Sequence, residues 1–299
     1  NGFFLLLTLA FHYDSTAATQ QHDFLVWGWR LPFLLSIGMV LVGLYVRVRL
    51  EETPVFARAV ERGEKLRSPL LHVLRKNLRE LVIGMFIMVA TYGVFYLMTT
   101  WILSYAIGKV ELGFLGIGYR DFLVLQLIAV LFFAAFIPVA GYLADRYGRR
   151  NFLRVVTAAI MVFGLSFGRF LAPETMGTGA NANIGLLLLF LCIGMTLMGL
   201  SFGPMSALLP ELFPTNTRYT GSGIAYNMAS ILGAALTPFV ATWLAREYGP
   251  GSVGLYVVLL GTLTFIALTV CKESTHTDLD SMSDDASACV ATGIEASSP

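Results

Sequence analysis

The stretch Gly141-Tyr-Leu-Ala-Asp-Arg-Tyr-Gly-Arg-Arg150 sets one carboxylate, Asp145, in a nest of cations: Arg146, Arg149 and Arg150. Gly141 and Gly148 allow a tight, closely packed turn there. A partly desolvated carboxylate in such a place pairs with a guanidinium or sits at a neighbouring helix N-terminus, and the pair can break and remake as a gate moves. A second stretch, Leu209-Pro-Glu-Leu-Phe-Pro-Thr-Asn-Thr-Arg-Tyr-Thr-Gly221, adds Glu211 and Arg218, one charge of each sign. Pro210 and Pro214 are expected to end one helix, and Thr217 or Thr220 to cap the next. This is the chemistry of a charged latch, not of bond making. An enzyme needs a nucleophile beside a base, or clustered metal ligands. The four histidines are scattered, the apolar runs hold no clustered carboxylates, and Cys192, Cys271 and Cys289 share no loop. No catalytic residue, metal, cofactor or disulfide framework is expected.

The elements that must position these charges are apolar. Of the 299 residues, 56% are hydrophobic and 13% charged, against about 45–50% and roughly 25% in ordinary globular domains. A spanning helix needs about 20 mostly apolar residues. Seven runs qualify: Leu31–Val48, Leu81–Ile107, Phe122–Ala144, Phe152–Leu171, Ile184–Leu209, Thr220–Ala245 and Val253–Val270, with a partial run at Asn1–Ala10. Gly164 and Gly168, Gly199 and Gly203, Gly221 and Ala225, and Gly233 and Thr237 put small residues one turn apart, as close helix packing in lipid requires. Pro138, Pro204 and Pro238 lie inside spans, where neighbours can satisfy the backbone they free. Trp27, Trp29, Trp101 and Trp243 stand near span ends and read as interface anchors.

Basic residues alternate between loops. Arg47–Arg79 and Arg146–Arg154 are rich in them; Gly108–Tyr119 and Ala172–Asn183 are not. Lysine and arginine are retained on the cytoplasmic side, so both ends of this chain are expected in the cytoplasm. The same clustering fits membrane orientation rather than a nucleic-acid-binding face, and no nucleic acid is expected as a partner. The tail from 272 to 299 is rich in Ser, Ala and Asp without aromatics, a composition that does not pack.

The ordered Gly, Asp, Arg, Gly, Arg, Arg of 141–150 resembles the signature loop of the major facilitator superfamily, which lies between helices 2 and 3 and again between helices 8 and 9. Residues 210–221 resemble that superfamily's loop between helices 10 and 11. Trp27-Gly-Trp-Arg-Leu-Pro-Phe-Leu34 and Glu51-Glu-Thr-Pro-Val-Phe56 resemble helix 6 and the segment after it in the metabolite:proton symporter branch, which includes permeases for shikimate, 2-oxoglutarate and proline/betaine. The resemblance covers nearly the whole chain except the tail. It implies an all-α integral membrane fold in a bacterial inner membrane. Residues 1–48 would be part of helix 5 and helix 6 of an N-terminal bundle whose earlier helices are missing. Residues 49–80 would be a cytoplasmic linker, 81–271 a C-terminal six-helix bundle of helices 7–12, and 272–299 a disordered cytoplasmic tail.

Within that fold the solute binds near the midplane between the two bundles. Tyr92, Tyr96 and Thr99 fall on one face of helix 7. They line a cavity or bond to neighbouring helices; both readings stand. Gln126, Tyr226 and Asn227 are further cavity candidates, with a backbone hydrogen bond the equal alternative for Asn227. No complete span holds a deep Asp, Glu, Lys or His, so a proton-coupling carboxylate is expected in the missing helices. The expected activity is secondary transport of a small organic acid or zwitterionic metabolite, with proton symport and alternating access, and the chain alone is expected to be inactive. An uncoupled facilitator or exporter, or a transporter-like sensor, is the alternative.

Overall fold

The computed structural model describes residues 30–49, 69–214 and 216–271. The partial run at Asn1–Ala10, the tryptophans at 27 and 29, the linker centre and the tail lie outside the described residues.

Among the described residues six helices are long and apolar enough to cross a membrane. They are α3 (Leu78–Ile107), α4 (Tyr119–Tyr147), α5 (Arg149–Phe170), α6 (Ile184–Glu211), α7 (Arg218–Tyr248) and α8 (Pro250–Val270). Two helices precede them: α1 (Arg30–Arg49) and the short α2 (Pro69–Lys76). No strand occurs among the described residues. In hydrocarbon every backbone polar group must be satisfied within the protein, and a helix does this inside one segment. Each of the seven full runs read from the sequence is a helix among the described residues, with bounds that differ by a few residues.

The helices α3 and α6 are central, with 61% and 56% of their most apolar stretches buried. The helix α4 packs chiefly on α6, α5 on α8, and α3 on both α7 and α8. Small residues set these approaches. A Cβ added at Gly164 would lie 2.8 Å from the Gly254 carbonyl oxygen, and one at Gly203 would lie 2.7 Å from that of Ile137. The first pair joins α5 to α8, and the second α6 to α4. By contrast α1 is exposed from Phe33 to Arg49, Met39 at 74% and Val40 at 65%.

Two spans are interrupted. A π turn at Leu97–Trp101 splits α3, and another at Ile231–Ala235 splits α7. The second lies just ahead of Pro238, whose ring would clash with the carbonyl four residues back in a regular helix. Extra residues in a turn relieve that crowding.

The two ends of the bundle differ. At one end the loops after α3 and α5 lock together: Gly179 N donates to Leu115 O at 2.7 Å and Tyr105 Oη to Leu171 O at 3.0 Å. At the other end Val73, Leu153, Phe213 and Leu268 share one apolar cluster beneath the arginines. The sequence's arginine-rich and arginine-poor loops therefore fall at opposite ends.

Trp101 corrects the sequence reading. It is 2% exposed and stacks on Tyr105 with ring centroids 5.2 Å apart. It shares the buried face of Val94, Leu97 and Met98, so it is core and not an interface anchor. Trp243, at 56% exposure, stands outward as expected.

Candidate functional site

The latch forms at the arginine-rich end. The helix α4 stops at Tyr147, Gly148 turns the chain at φ +86°, and α5 begins at Arg149. Only glycine takes that backbone region cheaply. Gly141, by contrast, is inside α4 with open space at its Cβ position, and serves no turn. Its backbone nitrogen is instead what a Cβ on Gly203 would approach, at 3.5 Å.

Arg149 joins three helices. Its Nε and Nη2 both donate to Asp145 Oδ1, at 3.1 and 3.0 Å, and its Nη1 donates to Glu211 Oε1 at the end of α6. Asp145 is 65% exposed, whereas Arg149 and Glu211 are 22% and 23% exposed. The sequence reading made Asp145 the desolvated partner. The structure gives that place to Glu211, because Asp145 sits in the open last turn of α4 while Glu211 is tucked between helix ends.

The remaining motif residues divide. Arg150 ties the latch to α8, Nε donating to Leu268 O at 2.9 Å and Nη2 to Thr269 O at 2.8 Å. A cation there complements the helix C-terminus. Arg146 lies over the Tyr147 ring, 5.6 Å from its centroid. Arg218 Nε donates to Phe213 O at 3.4 Å, holding the loop between α6 and α7. Pro210 does not end its helix; α6 runs through it to Glu211. Thr217 takes the N-cap position of α7 but makes no side-chain cap, its hydroxyl turning to Pro214 O at 3.4 Å.

A cavity of about 360 Å³ opens between four helices. Tyr92 and Tyr96 enter it from α3 and Tyr226 from α7, joined by Phe133 of α4 and Phe202 of α6. The Tyr92 and Tyr226 rings meet edge to face at 5.4 Å. Met88, Phe202 and Tyr226 also line a second cavity of about 360 Å³, which runs on past Ser206, Pro210 and Tyr219 toward the latch. Three of the six cavity candidates are thus brought together.

The other three line neither cavity. Thr99 turns its hydroxyl to Phe95 O at 2.7 Å within its own helix. Asn227 Nδ2 donates to Gly223 O at 2.8 Å, the alternative held open for it. Gln126 is 5% exposed and donates from Nε2 to Met98 O at 3.0 Å. Met98 lies in the π turn of α3, so Gln126 takes a carbonyl of the interrupted ladder.

Sequence reasoning missed Phe95, Phe133 and Phe202, since an apolar ring in an apolar helix carries no mark of the face it takes. It also missed two hydroxyl contacts. Thr91 Oγ1 bonds Ser201 Oγ across α3 and α6. Thr264 of α8 donates to Phe86 O at 2.7 Å and accepts from Ala90 N at 3.2 Å. It stands at the step of the α3 ladder that links those two residues.

Six apolar helices, four of them around an aromatic cavity, with an Asp–Arg–Glu latch at one end, define a polytopic membrane bundle. Residues 24–238 match the Major Facilitator Superfamily, and the chain belongs to it. It is 44% identical over 279 residues to the inner membrane metabolite transport protein YhjE of Escherichia coli, covering 93% of this chain and 60% of that protein. It is 44% identical over 265 residues to a putative metabolite transport protein of Haemophilus influenzae, covering 86% and 59%. It is 33% identical over 264 residues to the glycine betaine/proline/ectoine/pipecolic acid transporter OusA of Dickeya dadantii, covering 84% and 50%. The chain therefore spans about half to three-fifths of the length of these relatives. No solved structure matches it.

Proposed function

We propose that this chain is part of a secondary transporter that carries a small organic acid or zwitterionic metabolite across a bacterial inner membrane by alternating access. In this reading residues 81–271 are the C-terminal six-helix bundle. Residues 1–48 belong to an N-terminal bundle, 49–80 are the linker between them and 272–299 a cytoplasmic tail. The observation that carries it is the cavity shared by α3, α4, α6 and α7, which leads toward the Arg149 latch at one end. A solute site joined to a breakable charged contact is what an alternating gate needs. The names of the relatives, metabolite transport proteins and betaine/proline transporters, support the same class.

Proton symport is the coupling proposed, the proton-binding carboxylate lying outside the described cavity. An uncoupled facilitator is the second reading, favoured by a cavity lining with no ionisable carboxylate, ammonium or imidazole among the described residues. Proteoliposomes bearing the complete gene product decide between them. Saturable uptake of an organic acid or zwitterion that accelerates when the outside is acidified supports symport. Saturable uptake indifferent to the proton gradient supports the facilitator. Failure to move any member of a broad panel overturns transport itself.

A further inference from the structure

The cavity between α3, α4, α6 and α7 is walled by six rings: Tyr92, Phe95, Tyr96, Phe133, Phe202 and Tyr226. The rings touch in sequence around it. Phe95 meets Tyr96 at 5.4 Å and Phe133 at 6.4 Å, Phe133 meets Phe202 at 6.1 Å, and Tyr92 meets Tyr226 at 5.4 Å. Met88 and Met198 supply polarisable sulfur between them. No Lys, Arg, His, Asp or Glu lines this cavity or its continuation among the described residues. The lining excludes two kinds of solute group. A carboxylate finds no cation, and a buried unpaired carboxylate is costly. A primary ammonium finds no carboxylate, only neutral phenol oxygens, since the Thr91 hydroxyl is already taken by Ser201. Aromatic faces instead attract a positive charge spread over carbon, within about 6 Å of a ring centroid. Such a charge is weakly hydrated and loses little on leaving water.

From this we infer that the cavity is an aromatic cage for the positive end of the solute, a fully methylated ammonium nitrogen. Tyr92 and Tyr226 are its principal specificity-determining rings. They come from different helices, meet edge to face, and both line the cavity. The Tyr92 hydroxyl is buried without a well-formed hydrogen bond, so the ring is not there to anchor a neighbouring helix. Any carboxylate on the same solute is held elsewhere. The cage deepens the transport reading and rests on it for its physiological sense.

The test is equilibrium binding to the complete gene product in lipid nanodiscs. The probes are glycine betaine and 3,3-dimethylbutanoate, which has the same shape with carbon in place of the charged nitrogen. The betaine is expected to bind at least about tenfold more tightly. Tyr92→Phe and Tyr226→Phe keep the ring faces and should hold that ratio within about threefold. Tyr92→Leu and Tyr226→Leu remove a face and should bring the ratio toward one. Equal binding of the two probes by the unmodified protein overturns the cage, as does no binding of the betaine, or a ratio that survives both leucine substitutions. Flux is measured in parallel. Charge-selective binding without flux sinks the transport reading and leaves the cage; flux of organic acids without charge preference does the reverse.

Discussion

Arg149 answers to two carboxylates that differ in their surroundings. Asp145 is mostly exposed, and an exposed pair contributes only about 0.2–1 kcal/mol. Glu211 and Arg149 are both mainly covered, and losing one partner there leaves a charge short of its hydrogen bonds, at about 1–3 kcal/mol. Asp145→Asn should therefore leave the melting temperature of the purified protein nearly unchanged. If the Asp145 pair is remade in another gate state, uptake by the same variant falls sharply at equal membrane level. Normal uptake would show the loop to be merely topogenic. Glu211→Gln should lower uptake roughly fivefold or more. The double variant Glu211→Gln with Arg149→Gln should be no worse than Arg149→Gln alone, because the two act as one contact. Fully additive losses would break that unit. At this scale the sequence was partly legible. Tyr92, Tyr96 and Tyr226 showed themselves as polar groups in apolar runs. Thr99, Asn227 and Gln126 looked the same, yet a backbone carbonyl claims each of them. Whether a side chain faces a cavity or its own helix depends on the neighbouring helix, which spacing along one chain does not give.

Among the elements, α3 departs most from a plain span. Thr264 inserts its hydroxyl at the Phe86–Ala90 step, and the π turn at Leu97–Trp101 follows two turns later. Tyr92 and Tyr96 lie between these two weak points. A side chain set into the ladder is a recognised cause of bending, so the segment bearing the cavity tyrosines can pivot. Thr264→Val removes the hydroxyl at nearly constant volume and leaves Phe86 O and Ala90 N to each other. Stability should change by less than about 2 kcal/mol, since the freed groups have one another. Uptake should fall several-fold, and Thr264→Ser should restore it. A valine variant that transports normally would show the contact to be packing only. The spans themselves were legible because lipid permits almost nothing but helices. The glycine pairs were legible as well, Gly164 meeting Gly254 and Gly203 meeting the α4 backbone as close packing demands. The π turns were not, since Leu97–Trp101 has no proline and reads as ordinary helix. Trp101 was misread because its place near a span end does not give the face it takes, which it shares with Val94 and Met98.

For the whole molecule, sidedness is the property that the bundle and the loop charges must share. The loops after α3 and α5 lock together at one end through Gly179 and Leu115. The corner between α7 and α8 joins them there, Val253 and Ala241 packing into the same core as Leu115 and Leu171. The latch, Arg150 and the cluster around Phe213 occupy the opposite end. Arginines are retained on the cytoplasmic side during insertion, and on that ground we propose that the latch lies inside and the locked loops outside. Thr178 in the loop after α5 and Tyr248 at the end of α7 are then periplasmic, and Tyr147 at the end of α4 is cytoplasmic. Tyr147 and Tyr248 are well exposed, at 62% and 70%, so access and not burial decides their reactivity. In a background with Cys192, Cys271 and Cys289 replaced, Thr178→Cys and Tyr248→Cys should react with an impermeant maleimide added to intact cells. Tyr147→Cys should react only after the membrane is opened. Labelling of Tyr147→Cys in intact cells, or protection of the other two, would invert the orientation and place the charged latch on the side from which a solute enters.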